Sequence, residues 1–499
     1  MDTASSPNIS ASAPQPEDGL FDEALVERVE LVVDDVVDAR GGVNKRFRAF
    51  DPDAVMLVPP SLDEWLPEGH LARFIAELVD NELDLSRFYA SHKKAKGQPP
   101  YDPRLMLRIM LYGYCVGVRS SRQVERACTD VVAFRWLAAQ QGPDFRSIAR
   151  FRERHLAALA NVFLQALQLC QAAGMVSLGK VALDGTKVRA NASRHKAMSY
   201  ARLTAKQKVL AEEISVLMEE ATTVDADEDA RFGPGKRGDE LPAELANRER
   251  RAAAMATARA SIEEEAADKA RREAQEKARK RGDDDDDITA AGDKAAREAV
   301  PRPKAQRNFT DPDARIMKTA DGSYHYSYTG QAMVDADHQV IIATELNNVA
   351  VDVRQLESMV KRTVDTVGAM PKAWTADAGY CSASNLEHVK EVEAGHATEF
   401  FISTRRMKHA SPVPESPRGR IPANATLTER MARKLRTKKG KKIYARRKAI
   451  VEPVFGQIKT RQGKHLLLRG MEKAAREWEL LAGCHNLLKL HTYRTSQAS

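Results

Sequence analysis

Cysteine is scarce in this sequence, and its few copies are widely spaced. Five cysteines occur in 499 residues, and no two of them form a Cys-x-x-Cys pair. Structural zinc sites and disulfide frameworks are built from closely or regularly spaced cysteines. The sequence therefore predicts neither, and it favours a reducing compartment, where chains without disulfides are typical.

Long hydrophobic runs are also missing. The most apolar stretch, residues 105–118, is interrupted by Arg108, and it is shorter than the roughly 20 residues that span a bilayer. The N-terminus is rich in Ser, Pro and Asp and has no apolar core, so no signal peptide is predicted. We therefore expect a soluble cytoplasmic protein without a membrane partner.

Positive charge is in excess and unevenly distributed. The formal net charge is +8, and residues 433–448 contain ten Lys or Arg residues and no acid. Such a run is usually a solvated, mobile surface, but it is also typical of segments that follow a polyanion. The lysines that we single out in this basic run are Lys438, Lys439, Lys441 and Lys442.

Helical patterns dominate the first third of the chain. We expect a mobile arm at residues 1–50, with one helix between Asp22 and Asp38, and an all-α domain at residues 51–178. Residues 105–111 are apolar on nearly every side, which predicts a central helix. Four arginines, Arg150 among them, lie on the helix expected after residue 145. They indicate either a helix-turn-helix that contacts DNA or a solvated basic helix face.

Residues 191–305 differ in composition from their flanks. They are rich in Ala, Glu, Lys and Arg, and Leu203, Leu210 and Leu217 recur every seven residues, which predicts a coiled-coil helix. The five consecutive aspartates at 283–287 predict a disordered run. We therefore expect a helical, charged insertion that projects from another domain, or else a flexible charged linker.

Strand patterns occur on both sides of this insertion. Residues 324–329 alternate aromatic and polar side chains, and short apolar runs lie at 180–183, 339–344, 372–376 and 399–403. The alternation predicts a half-exposed strand, and the apolar runs predict buried strands. We therefore expect a mixed-sheet α/β domain at residues 179–190 and 306–460, followed by C-terminal helices at 461–499.

Three acidic residues have unusual surroundings. Asp184 and Asp377 each follow a short apolar strand and precede a Gly or a small residue, and Glu452 lies inside an apolar run. One such acid alone is most simply a turn residue, but three together could hold divalent cations, because hard cations prefer oxygen ligands. Proline is favourable in a first helical turn and costly further in. If the helix starts at Pro453, Glu452 is its N-cap.

These motifs resemble those of bacterial DDE insertion-sequence transposases, which have an RNase-H-like catalytic domain. The resemblance is carried by VALDGT at residues 181–186, NFTDPDAR at 308–315, ADAGY at 376–380 and VEPVFGQIK at 451–459. The helical region at about 59–175 also resembles the N-terminal domain of that group. The implied architecture is an RNase-H-like mixed sheet, an all-α N-terminal domain and a helical or coiled-coil insertion.

The resemblance implies a role for each of the three acids. Asp184, Asp377 and Glu452 would be both the catalytic residues and the metal ligands. They would hold two Mg²⁺ ions, or alternatively Mn²⁺, about 4 Å apart in a site for in-line attack at phosphorus.

The resemblance also implies contacts to DNA. Lys459, seven residues after the glutamate, would hold a DNA phosphate near the cut. The family often has Tyr and Arg at fixed offsets before its Glu, and here Tyr444, Arg447 and Lys448 are displaced from that spacing by one residue. We assign Arg447, Lys448, the lysines of the basic run and Arg150 to DNA binding.

The implied function is transposition. The protein would bind the terminal inverted repeats of its element, cleave phosphodiester bonds at the ends and transfer the freed 3′-hydroxyls to target DNA. It would act as a homodimer or a larger assembly and associate with the nucleoid when bound to DNA. Two alternatives stay open, a metal-dependent nuclease of the same fold without strand transfer and a catalytically silent DNA-binding copy.

Overall fold

The computed structural model of the protein describes residues 61–90, 99–193, 196–232, 243–319, 321–349, 352–404 and 418–498. The predicted N-terminal arm and its helix between Asp22 and Asp38 lie outside the described residues. In the part of the chain that the structure describes, no helix is long and apolar enough to cross a membrane.

Seven helices precede the sheet in the described residues. They are α1 (Leu71–Asn81), α2 (Ser86–Tyr89), α3 (Pro103–Val116), α4 (Ser121–Asp130), α5 (Val132–Leu137), α6 (Phe145–Arg154) and α7 (Leu156–Ala172). Asp102 caps α3 by accepting from the Arg104 N–H, and Pro103 occupies the first turn, where a missing N–H costs nothing. α3 is buried along nearly its whole length, which confirms the prediction of a central apolar helix.

The strands that follow form a mixed sheet, as predicted. They are β1 (Val181–Arg189), β2 (Ala197–Ser199), β3 (Gln306–Asn308), β4 (Arg315–Lys318), β5 (Tyr324–Asp335), β6 (Ile341–Asn347), β7 (Ala373–Ala376) and β8 (Glu399–Ile402). The main sheet has the order β4-β5-β1-β7-β8, and β6 also pairs with β5. β5 is antiparallel to β1, β4 and β6, whereas β1, β7 and β8 are mutually parallel.

The segment at 191–305 is largely helical. β2 pairs with β3 at its base, and it contains α8 (Tyr200–Phe232), α9 (Ala243–Arg281) and α10 (Asp285–Arg297). Leu203 and Leu210 are buried with Met255 and Ile262 in a small cluster distinct from the main core. The side chain of Leu217 lies outside the described residues.

The aspartates at 283–287 do not form the disordered run that the sequence predicts. Asp284 is the N-cap of α10, and its carboxylate accepts from the Asp287 N–H at 2.9 Å. Asp285, Asp286 and Asp287 form the first turn of the helix. Negative charge is favourable there because unpaired N–H groups and the helix dipole make a helix N-terminus positive. Local capping therefore outweighs the repulsion within the run.

Two helices connect the last strands of the sheet: α11 (Gln355–Val367) lies between β6 and β7, and α12 (Ala383–Gly395) lies between β7 and β8.

β5 is more buried than its alternating sequence predicts. Every β5 residue from Tyr326 to Asp335 is buried, so the expectation of a half-exposed strand is wrong. Polar side chains are tolerated inside because they form hydrogen bonds there: Thr329 donates to the Val349 carbonyl, and Gln331 accepts from the Tyr380 hydroxyl.

The basic run is helical and is not a loop. It spans parts of α13 (Leu427–Arg436), α14 (Lys438–Ala445) and α15 (Arg447–Gln457). Thr426 forms a capping box with Glu429, and Thr437 accepts from the Gly440 N–H at 3.0 Å. Ile443 is buried with Phe401 of β8. Side-chain caps and a few apolar anchors therefore order a segment that is dominated by Lys and Arg.

In the described residues, one C-terminal helix, α16 (Met471–Ala498), replaces the several helices expected at 461–499. It packs against α3, α7 and β6. The Asn486 side chain donates to the Ile341 carbonyl and accepts from the Ile341 N–H, both at 2.8 Å. Trp478 lies directly on Gly330 of β5, where an added Cβ would be 2.6 Å from its ring. α16 therefore joins the N-terminal helices and the sheet in one core.

Candidate active site

Asp184 and Asp377 lie on adjacent parallel strands. Leu183 of β1 is paired with Ala376 of β7. Asp184 directly follows Leu183, and Asp377 directly follows Ala376. Asp377 follows the end of β7 and accepts from the Gly379 N–H at 2.8 Å. Asp184 lies inside β1, because β5 continues to pair with β1 as far as Arg189. The expectation that Asp184 ends a strand is therefore wrong.

The Asp184 carboxylate is mostly buried and is held from two sides. Its Oδ1 accepts from the Gly185 N–H at 2.8 Å, and its Oδ2 accepts from Arg447 Nη1 at 2.9 Å. Burial raises the pKa of Asp184, the Arg447 charge opposes this, the Asp377 charge adds to it, and the net pKa shift is upward. The two carboxylates are therefore close enough to repel each other.

Arg447 is buried and not at the surface, where a residue assigned to DNA binding is expected. It is 6% exposed, and its guanidinium forms the ion pair with Asp184. Burial acts to lower its pKa, but the charges of Asp184, Tyr444 and Asp377 raise the pKa above its ordinary value. Arg447 therefore supplies the counter-charge for the two aspartates in this structure.

The helix that carries Glu452 starts earlier than its proline predicts. α15 begins at Arg447 and contains Pro453 in its interior, so Glu452 is not an N-cap. A proline at 453 cannot donate to the carbonyl of Ala449, four residues back. The Gln339 side chain donates to that carbonyl at 2.9 Å. A partner from a distant turn thus replaces the lost helical hydrogen bond.

Glu452 is exposed. Among the described residues, no three His, Cys, Asp or Glu side chains are close enough together to hold a metal ion. The carboxylates of Asp184, Asp377 and Glu452 therefore do not form the predicted cluster in this structure.

Lys459 lies close to the aspartates along β1. A π-helical turn, Ile458–Gln462, continues α15, and Lys459 in this turn donates to Thr186 Oγ1 at 2.5 Å. Thr186 is two residues after Asp184, so both side chains are on the same face of the strand. Burial and the nearby Lys464 charge lower the pKa of Lys459. Glu452 and Lys459 are seven residues apart, which places them on about the same side of the helix.

The other residues assigned to DNA are mostly on the surface. Lys438, Lys439 and Lys442 of α14 are exposed, as is Lys448 of α15, and Lys441 is half-buried. Lys439 also forms an ion pair with Glu399. Arg150 is exposed on α6.

The donor set at the two aspartates fits a divalent cation in part. Asp184 and Asp377 supply carboxylate oxygens on neighbouring strands, and hard cations prefer such ligands. A cation would also offset the repulsion that contributes to the raised pKa of Asp184. The third ligand would have to come from Glu452, which is exposed and does not join the aspartates in this structure.

Two family models match the chain. Residues 60–154 match a transposase domain (DUF772), and residues 291–487 match a transposase DDE domain. Together the two matches support an insertion-sequence DDE transposase. The DDE match contains Asp377 and Glu452 but begins after Asp184, and the strand pairing of β1 with β7 is what brings Asp184 beside Asp377. No curated protein and no solved structure matches the chain.

Several residues around the aspartates carry little signal in the sequence. Thr186 lies in a matching motif, but its bond to Lys459 depends on the fold. Gln339 has no motif at all, and its role could have been found only from the unpaired carbonyl that Pro453 implies. The pairing of Arg447 with Asp184 likewise depends on the fold, since the two residues are 263 apart in the sequence.

Proposed function

We propose that this transposase binds the terminal inverted repeats of its element, cleaves phosphodiester bonds at the ends and transfers the 3′-hydroxyl ends to target DNA. The observation that carries this proposal is the pair of aspartates on adjacent parallel strands, with Asp184 mostly buried, inside a chain that matches two transposase families. The strand order supports an RNase-H-like catalytic domain, because antiparallel β6, β5 and β1 are followed by parallel β7 and β8.

We further propose Asp184, Asp377 and Glu452 as the catalytic acids. Asp184 and Asp377 would hold Mg²⁺, or alternatively Mn²⁺, and Glu452 would complete the ligand set from the side of α15 that it shares with Lys459. Two bound metal ions supply a nucleophile of lowered pKa and stabilise the leaving oxygen. Arg447 would keep the carboxylates charged and in place, and Lys459 would hold a DNA phosphate beside them.

DNA binding by this chain would use two surfaces. Arg150 stands between two other exposed arginines on α6, Arg146 and Arg154, and residues four apart lie on one helix face. The exposed lysines of α14 form the second surface, close along the chain to Glu452. Joining two element ends requires at least two copies, so we propose a homodimer or a larger assembly.

The test is a joining assay with the full-length protein, a labelled duplex that carries the element end, a target plasmid and Mg²⁺. Transposition predicts nicked or cut end DNA together with labelled target. Cut ends without labelled target would establish the nuclease alternative. Binding without cutting would point to the catalytically silent copy.

A further inference from the structure

A basic segment continues from the candidate site beyond Lys459. Residues 459–469 contain Lys459, Arg461, Lys464 and Arg469, together with His465, and residues 453–471 contain no Asp or Glu. The segment comprises most of the π-helical turn and the loop that leads to α16. We name residues 459–469 the basic loop.

The basic loop is fixed to the end of β1. The Arg189 N–H donates to the Lys464 carbonyl at 3.3 Å, and the Leu466 N–H donates to the Arg189 carbonyl at 2.8 Å. His465 thereby forms a parallel bridge with Arg189. The Asn191 side chain donates to the Leu467 carbonyl at 2.6 Å. One isolated bridge and these hydrogen bonds therefore hold the loop backbone against the end of β1.

A buried ion pair supports the loop from behind. Glu477 of α16 accepts from the N–H groups of Leu467 and Leu468 at 2.9 and 2.8 Å. Arg119 donates to Glu477 at 3.2 Å and to the His465 carbonyl at 2.7 Å. Both charged side chains are almost completely buried. A loop with this many backbone contacts is held in one conformation before any ligand binds.

The charges of the loop face outward. Lys464, His465 and Arg469 are exposed. Within the described residues, Lys459, Lys464 and Arg469 form no ion pair with a carboxylate, and Arg469 donates to the carbonyl and side-chain oxygens of Asn191. The charge of Lys464 contributes to the lowered pKa of Lys459. Cations that repel one another on a rigid frame form a site for a polyanion.

We propose that the basic loop binds the phosphate backbone of the DNA substrate beside the bond that is cut, with Lys464 and Arg469 as its outer contacts. This inference rests on the proposed function, because it takes the aspartates as the position of the cut. The path from Asp184 to Arg189 is five residues of strand, or about 17 Å. Duplex DNA rises about 3.4 Å per nucleotide on each strand. The Lys464 backbone, which meets Arg189, is therefore about five nucleotides along the DNA from the aspartates, and Arg469 beside Asn191 is slightly further away.

The test measures binding without chemistry. The full-length protein is titrated with a random-sequence duplex over a range of salt concentrations in the absence of divalent metal. Lys464→Gln with Arg469→Gln removes two charges, while the amide at position 469 can still donate to Asn191. The matched control is Lys277→Gln with Arg279→Gln, a Lys and an Arg that are exposed on α9. Lys464→Arg with Arg469→Lys preserves both charges.

For the glutamine pair on the loop, we expect the log–log salt slope to fall by up to about 1.8, since each lost phosphate contact removes about 0.9. The control pair and the charge-preserving pair should keep the slope of the unmodified protein. An unchanged slope for the loop pair overturns the inference even where end DNA is cut and joined. A reduced slope in a protein that neither cuts nor joins end DNA supports the loop as a DNA surface and counts against the proposed function alone.

Discussion

Removing one partner of the buried ion pair between Arg119 and Glu477 should destabilise the protein strongly. Arg119→Met removes the cation but leaves Glu477 fully buried. Breaking such a pair from one side costs about 3–5 kcal/mol, because an uncompensated charge stays behind. Glu477 would keep its two backbone donors, Leu467 and Leu468, so we expect a loss near the lower limit, about 3 kcal/mol. Chemical denaturation followed by circular dichroism at neutral pH measures it.

The pH dependence of this decrease in unfolding free energy is a second, independent test of the same contact. Burial raises the pKa of Glu477 and Arg119 lowers it, so Arg119→Met should raise the pKa further. A carboxyl whose pKa is higher in the folded state gains stability as the pH falls. The deficit of Arg119→Met should therefore shrink as the pH falls towards the ordinary value of 4.5.

A double variant provides the control. Arg119→Met with Glu477→Gln leaves no buried charge, and its amide oxygen can still accept from the loop, so it should recover most of the loss. A deficit of Arg119→Met below about 1 kcal/mol, or one that grows on acidification, would refute the reasoning.

Three further predictions concern other contacts. Gly330→Ala should cost about 1–3 kcal/mol of unfolding free energy through overpacking on Trp478, and an unchanged melting temperature would contradict that close approach. Burial lowers the pKa of His485 from 6.5 to about 4. As the pH falls through this range, the free energy of unfolding should therefore decrease by up to about 3 kcal/mol relative to that of His485→Gln, at about 1.4 kcal/mol per pKa unit. Parallel pH profiles of the two proteins would disprove this. Replacing Lys438, Lys439, Lys441 and Lys442 by alanine should weaken DNA binding and reduce the salt slope by about 0.9 for each lost phosphate contact, whereas an unchanged slope would make them ordinary solvated residues.

The strands around the aspartates could be predicted closely because their signals are local. The apolar run ends at Asp377, and a small residue and a glycine follow. β7 and β8 lie within a residue or two of the expected ranges. The two aspartates follow paired strand residues, so their adjacency required only that the strands be parallel neighbours. Short, buried parallel strands read as continuous apolar runs, which makes them recognisable.

The helix at Glu452 could not be predicted in the same way. Proline is costly inside a helix because a carbonyl loses its donor, and that rule favoured a start at Pro453. The donor comes from Gln339, 110 residues away. The Asp184–Arg447 pair likewise joins residues 263 apart. Neither contact leaves a pattern within a sequence window.

Burial of β5 and capping of α10 differ from expectation for opposite reasons. The burial of β5 is set by the tertiary packing that brings Trp478 onto Gly330, so its alternating residues were misleading. The order at the aspartates of α10 is set locally, by the Asp284 cap, and a capping rule applied to the run would have predicted it.

The central claim is that Asp377 takes part in cutting DNA, and Asp377→Asn tests it most directly. The amide keeps the size of the side chain but is a poor ligand for a hard dication, while DNA affinity depends mainly on Lys and Arg contacts to phosphate. The measurement pairs cleavage of end DNA in Mg²⁺ with a gel shift of the same duplex, and a thermal melt establishes that the variant is folded.

The account predicts no cleavage by folded Asp377→Asn, with DNA retention close to that of the unmodified protein. Asp184→Asn and Glu452→Gln should behave alike if all three acids share one site. Cleavage by folded Asp377→Asn within a few-fold of the unmodified rate would contradict the account and remove Asp377 from the active site.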